Sequence, residues 1–128
     1  MALDRPADFQ TRSFAFACDV VRFYRRISKG TEVPYALARQ VLRSGCSIGA
    51  NLEEAKSAQS RRDLLSKFSI ALKEARETQY WLRLLTTTKL VPATETEQLL
   101  REVSELVAIL TASVKRLKRD GSFAEIRF

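Results

Sequence analysis

The feature that most constrains this chain is a run of core-type positions, Leu64, Phe68, Ala71, Ala75, Thr78, Leu82 and Leu85, separated by alternating steps of four and three residues. That alternation keeps one side of an α-helix facing a partner along its whole length, the seam of a helix packed at a shallow angle against its neighbours. Leu65 and Leu72 widen the seam, and Ser60, with Asp63 three residues on, supplies a cap-like start. A strand would have needed a period of two, so the segment specifies helix.

Three further helices follow from the same reasoning. The first is predicted over about 7–29, with Phe14, Ala17, Val21 and Tyr24 on one line, Phe16, Val20, Phe23 and Ile27 on an adjacent one, and Gly30 as its stop. The second, about 34–57, opens on Pro34, whose fixed φ suits a first turn, and carries the stripe Leu37, Val41, Ser44, Ile48, Asn51, Ala55. The third spans about 60–88. The fourth, about 94–119, opens on Thr94 and Glu97 in a capping-box arrangement and carries Leu99, Val103, Leu106, Leu110, Val114 and Leu117. Its acids lie early and its bases late, which complements the helix dipole. Residues 120–128 form a tail. Connectors this short predict an all-α, antiparallel up-down-up-down four-helix bundle, with 1–128 as a single domain.

Composition removes most chemistry. The 128 residues include no His and only 2 Cys, with 4 Gly and 3 Pro. Imidazole bases, Ser/His and Cys/His nucleophile pairs and a four-ligand zinc set cannot be assembled from this inventory. Without a nucleotide cradle or a paired acid and base, the expectation is a protein with no catalytic residues, no metal and no cofactor. Charges interrupt every apolar face, so no membrane span is predicted. The opening segment, with Asp4, Arg5 and Asp8, has no secretory apolar run, and Cys18 and Cys46 read as reduced thiols, so the expected location is cytoplasmic.

Two lines on the first helix make a wider apolar stripe than one bundle core demands. Phe16, Val20 and Phe23 are therefore expected to face water in a lone subunit and to form an oligomer interface; Phe123, Ile126 and Phe128 of the tail either join that interface by docking on a neighbouring subunit or fold back on their own bundle. Gly45 and Gly49, one turn apart inside the second helix, predict close approach of another helix, because each costs about 1 kcal/mol relative to Ala. Ser44, Ser47, Asn51 and Glu54 fall at steps of three and four on one side of the same helix. They are predicted to form an interhelical polar network that fixes register.

The net charge is +7, and the segment 59–92 carries +4 of it. With the seam of the third helix inward, Arg62, Arg76 and Arg83 share one outer position, and Lys73 and Tyr80 flank them. This basic line with an aromatic in it is the candidate contact for RNA or DNA phosphates; the competing reading is a solvated face neutralised by Glu77 and its neighbours. Arg22, Arg25, Arg26 and Lys29 form a second basic cluster.

The stretch Ser47-Ile48-Gly49-Ala50-Asn51-Leu52-Glu53-Glu54-Ala55, followed by Phe68-Ser69-Ile70-Ala71-Leu72-Lys73-Glu74-Ala75, resembles the four-helix-bundle family known from intervening sequences of large-subunit ribosomal RNA. The resemblance covers about Phe9 to Lys118, with Leu52 where the family has Ile and Ala55 where it commonly has Gly. It implies a small cytoplasmic bacterial protein that forms a homo-oligomeric ring, often a pentamer. It also implies kinship with accessory proteins of diversity-generating retroelements, which bind nucleic acid and associate with a reverse transcriptase. A protein–protein scaffold without nucleic-acid binding, using the first helix and the tail, is the alternative expectation.

Overall fold

The computed structural model describes residues 8–30 and 33–120. They form four α-helices, α1 (Phe9–Lys29), α2 (Tyr35–Ala55), α3 (Arg61–Thr87) and α4 (Ala93–Asp120), and no strand among the described residues. The tail residues Phe123, Ile126 and Phe128 lie outside them.

Local chemistry accounts for the helix ends. Pro34 precedes α2 in an extended conformation, and its carbonyl accepts the N–H groups of Leu37 and Ala38 at 3.1 Å each. Ser60 Oγ accepts from the N–H of Asp63 at 3.0 Å, which satisfies one orphan donor at the start of α3, and the Asp63 carboxylate accepts the N–H of Gln59, the residue before the cap, at 3.2 Å. At the other end of α3, Lys89 takes a left-handed φ of 62° and the N–H of Leu90 returns to the carbonyl of Leu85 at 3.1 Å. This is a Schellman-type ending in a place where Gly is the usual residue. The start of α4 departs from the expected capping box. Pro92 offers its carbonyl to the N–H of Glu95 at 2.9 Å, so the helix begins at Ala93 and Thr94 sits exposed in its first turn. Thr96 is the buried threonine here, 2.8 Å from Thr86 across the α3–α4 connection.

One hydrophobic core collects residues from all four helices, and Phe16, Phe23, Phe68, Ile48, Leu52 and Leu106 are among its largest fully buried members. Every position of the α3 seam is buried, Thr78 included. In the sequence of contacts α2 packs on α1 and α3, α3 packs on α4, and α1 and α4 share the thinnest seam. Phe9 meets Phe68 with ring centroids 5.8 Å apart, which ties the start of α1 to the first third of α3.

The expectation for α1 is corrected by this packing. Phe16, Val20 and Phe23 are 1%, 0% and 0% exposed within a single chain, so they face the core and not water. They continue the line Phe9, Ser13, Phe16, Val20, Phe23, Ile27, the side on which α1 meets the other helices. The adjacent line is the one turned outward: Phe14 is 69% and Val21 41% exposed. Periodicity showed two stripes on α1 but carried no information on which would take the centre.

Candidate nucleic-acid interface

The side of α3 opposite its seam carries Arg62, Lys73, Arg76, Tyr80 and Arg83, all exposed. Lys73, Arg76, Tyr80 and Arg83 follow at steps of three and four, so they form a strip about 15 Å long at the helical rise of 1.5 Å per residue. Arg62 continues it toward the start of the helix.

Whether such a strip attracts an anion depends on where the acids of the same helix point. Asp63 is committed to the helix start, as described above. Glu74 and Glu77 turn toward α2, where Arg43 binds both, Glu74 at 3.2 Å and Glu77 through its other guanidinium nitrogen. Glu77 also accepts the indole N–H of Trp81 at 2.9 Å. The three carboxylates of α3 are therefore engaged away from the strip. Among the described residues, Arg62, Lys73, Arg76 and Arg83 form no salt bridge. A row of exposed cations without internal counter-charge keeps its potential for an external anion. Arg43 and Trp81 were not legible as parts of this arrangement. The spacing of Arg43 to α3 becomes visible only once α2 and α3 are side by side.

Tyr80 stands within the strip at 55% exposure and packs edge-on against Trp81, with ring centroids 5.0 Å apart and planes at 72°. Its position is braced from behind by the chain of contacts from Trp81 to Glu77 to Arg43.

The polar residues of α2 divide into three separate arrangements in place of one network. Ser44 donates to the carbonyl of Gln40 at 2.9 Å and lies 2.8 Å from Thr78 Oγ1 of α3, a fully buried contact between helices. Asn51 donates within α2, to the carbonyl of Ser47 at 2.9 Å and to its hydroxyl at 3.1 Å. Glu54 is exposed and pairs with Lys67 at 2.9 Å, a contact that raises the Lys67 ammonium above its ordinary value. Only Ser44 has the predicted buried interhelical role. Glu54 stays at the surface because it sits near the end of α2, where α3 presents a lysine and solvent is close.

The basic cluster on α1 differs from the α3 strip. Arg22 pairs with Asp19 at 3.1 Å, and Arg26 lies over the ring of Phe23 at 5.9 Å. It borders an open groove of about 530 Å³ between α1 and α4, whose lining includes Arg12, Asp19, Glu95, Arg101 and Glu102. Signs alternate around that groove, so no single ion class is favoured there.

Fold and surface together define a small all-helical protein whose third helix carries an uncompensated basic strip. Among the described residues there is no group of three metal-ligating side chains, and no helix is long and apolar enough to cross a membrane. The chain belongs to the family of 23S rRNA-intervening sequence proteins, whose model matches residues 7–112. It is similar to a protein of unknown function from the S23 ribosomal protein family of Bacteroides thetaiotaomicron, with 39% identity and a TM-score of 0.78 over 83% of this chain and 97% of that one. No curated protein matches it. The motif that carries the likeness has a physical reading: Ser47 and Asn51 bond to each other along α2, and Gly49 lets the backbone of Ser13 approach, since an added Cβ would stand 3.3 Å from the Ser13 carbonyl oxygen.

Proposed function

We propose that this chain is a non-enzymatic, homo-oligomeric nucleic-acid-binding or adaptor protein that grips phosphates with the outward strip of α3. The observation that carries the reading is the capture of Glu74 and Glu77 by Arg43, which leaves Lys73, Arg76 and Arg83 without a partner acid. Phosphate contact of this kind has little sequence preference and weakens steeply with salt through counterion release. A gel-shift series from low to moderate salt tests it. Binding at low salt that is lost in an Arg76→Glu, Arg83→Glu double variant supports the reading; absence of binding by the unaltered protein overturns it.

The helices run up-down-up-down in this reading. Pairs that descend along one helix as they ascend the next support it: Arg43 with Glu74 and Glu54 with Lys67 between α2 and α3, and Gln79 with Ser104 and Thr86 with Thr96 between α3 and α4. The oligomer rests on a different surface from the one periodicity indicated. Phe14, Val21 and the exposed Tyr35 at the start of α2 are large apolar groups left at the surface of one chain. A ring, a pentamer by family resemblance, would repeat the α3 strip and raise avidity without strengthening any single site. Light scattering reads the state: the unaltered protein is a multimer, and Phe14→Asp with Val21→Asp reduces it to single chains.

A scaffold that recruits a protein, such as a reverse transcriptase, through the same α1 face in a cytoplasmic complex is the second reading, favoured by the 69% exposure of Phe14. Capture of that partner by a protein that binds no nucleic acid would select it.

A further inference from the structure

We infer that the α3 strip takes single-stranded nucleic acid in preference to duplex, with an unpaired base stacked on the ring of Tyr80. The inference rests on the phosphate-binding reading of the strip and adds the class of strand to it. Phosphate contact alone does not require an aromatic side chain, yet Tyr80 is placed between Arg76 four residues before it and Arg83 three residues after it. Along the helix axis these cations lie about 6 Å and about 4.5 Å from the tyrosine, one on each side. That is an arrangement for one nucleotide: a base on the ring and its flanking phosphates on the guanidinium groups.

The ring is also held for the purpose. A lone surface tyrosine is free to rotate, and ordering it on binding costs entropy. Tyr80 is braced by the T-shaped contact with Trp81, Trp81 by its hydrogen bond to Glu77, and Glu77 by Arg43. Only one side of the ring is used by Trp81, and its 55% exposure leaves a surface for another π-system. In a duplex both faces of every base are occupied by neighbouring bases, so the tyrosine has nothing to meet. In a single strand each base has a face to offer, and stacking on an aromatic is tolerant of sequence. Gln79, which neighbours Arg76 and Arg83 on the helix, donates its amide to Ser104 of α4 at 3.0 Å, so that group is engaged away from a base edge.

Trp81 is the chain's single tryptophan and adjoins Tyr80, so its fluorescence reports directly on this position. The experiment uses the full chain with two fluorescein-labelled probes at one salt concentration, an oligouridylate and a mixed-sequence RNA duplex, each of about 20 nucleotides per strand. Anisotropy should show tighter binding of the single strand, accompanied by a change in Trp81 emission. Tyr80→Ala should weaken single-strand binding about tenfold, leave duplex binding within about twofold, and be rescued by Tyr80→Phe. Equal loss on both probes, no loss on either, or failure of the Phe variant to restore binding overturns the stacking inference. If Arg76→Glu with Arg83→Glu abolishes binding while Tyr80→Ala changes nothing, stacking falls and the phosphate reading stands. If the unaltered protein binds neither probe at low salt, both fall.

Discussion

Val20 of α1 closes directly over Gly45 of α2: a Cβ added at Gly45 would stand 2.8 Å from Val20 Cγ2 and 2.9 Å from Cγ1. Both residues are buried, and valine is stiff at χ1, so the methyl groups cannot swing clear. Gly45→Ala gains about 1 kcal/mol of helix propensity and meets an overpacking cost of about 1–3 kcal/mol. The expected outcome in urea denaturation is a net loss of stability. Adding Val20→Ala should recover part of it, with a coupling of at least about 0.5 kcal/mol between the two sites. Additive effects would mean the contact is not close.

The buried pair Ser44–Thr78 gives a second test. Thr78 Oγ1 shares its proton between Ser44 Oγ and the carbonyl of Glu74, each at 2.8 Å. Thr78→Val keeps the shape and removes the hydroxyl, while Ser44 still donates to Gln40, so no donor is stranded. A loss of about 1 kcal/mol in denaturant unfolding is expected. Glu54→Gln, at an exposed ion pair, should be closer to neutral in the same assay.

Because α1 and α4 share the thinnest seam, the ion cluster across it matters more than its area implies. Arg12 reaches Glu102 at 3.0 Å with two nitrogens and Glu105 at 2.6 Å. Hydrogen bonds to Glu102 first and Glu105 second hold its guanidinium charged beyond the ordinary arginine range. A raised basic group contributes its full stability below the unfolded value and loses it only as pH rises past the folded one. The contribution is therefore constant across the neutral and mildly alkaline range. Arg12→Ala should cost about 1 kcal/mol after solvent screening, equally at pH 7 and pH 9, as read by thermal unfolding at both.

Cys46 makes the opposite kind of prediction. Burial first, and the neighbouring Cys18 second, push its thiol above the ordinary 9.0. The folded protein holds that proton longer than the unfolded chain, so this group's effect on stability turns unfavourable as pH rises through about 9. The thiolate is the reactive form. Alkylation of Cys46, followed by mass spectrometry at pH 8, should be slower than that of a small exposed thiol, and its rate should still be climbing above pH 9.

The helices were legible because their signals are local. The four-three spacing of α3, Ser60 with Asp63, and Pro34 ahead of α2 each act within a few residues, and the helices lie where these signals put them. The start of α4 was missed by one residue because Thr94–Glu97 matches a capping box in letters, while Pro92 supplies a carbonyl that captures the first turn. On α1 both apolar lines were visible, but the choice between Phe16–Val20–Phe23 and Phe14–Val21 depends on how α2 and α4 approach, which is not local information. The cations and Tyr80 of the α3 strip could be read by helical arithmetic. What turns them into an uncompensated row, Arg43 on a different helix holding Glu74 and Glu77, could not.

The most direct test of the account is the salt dependence of nucleic-acid affinity, measured by anisotropy with a single-stranded probe for the unaltered protein and for Arg76→Ala with Arg83→Ala. Each phosphate neutralised contributes about 0.7 to the slope of log affinity against log salt for single strands, so removing two cations should flatten the slope by at least about 1 and weaken binding at low salt. An unchanged slope, or no binding by the unaltered protein at low salt, would contradict it.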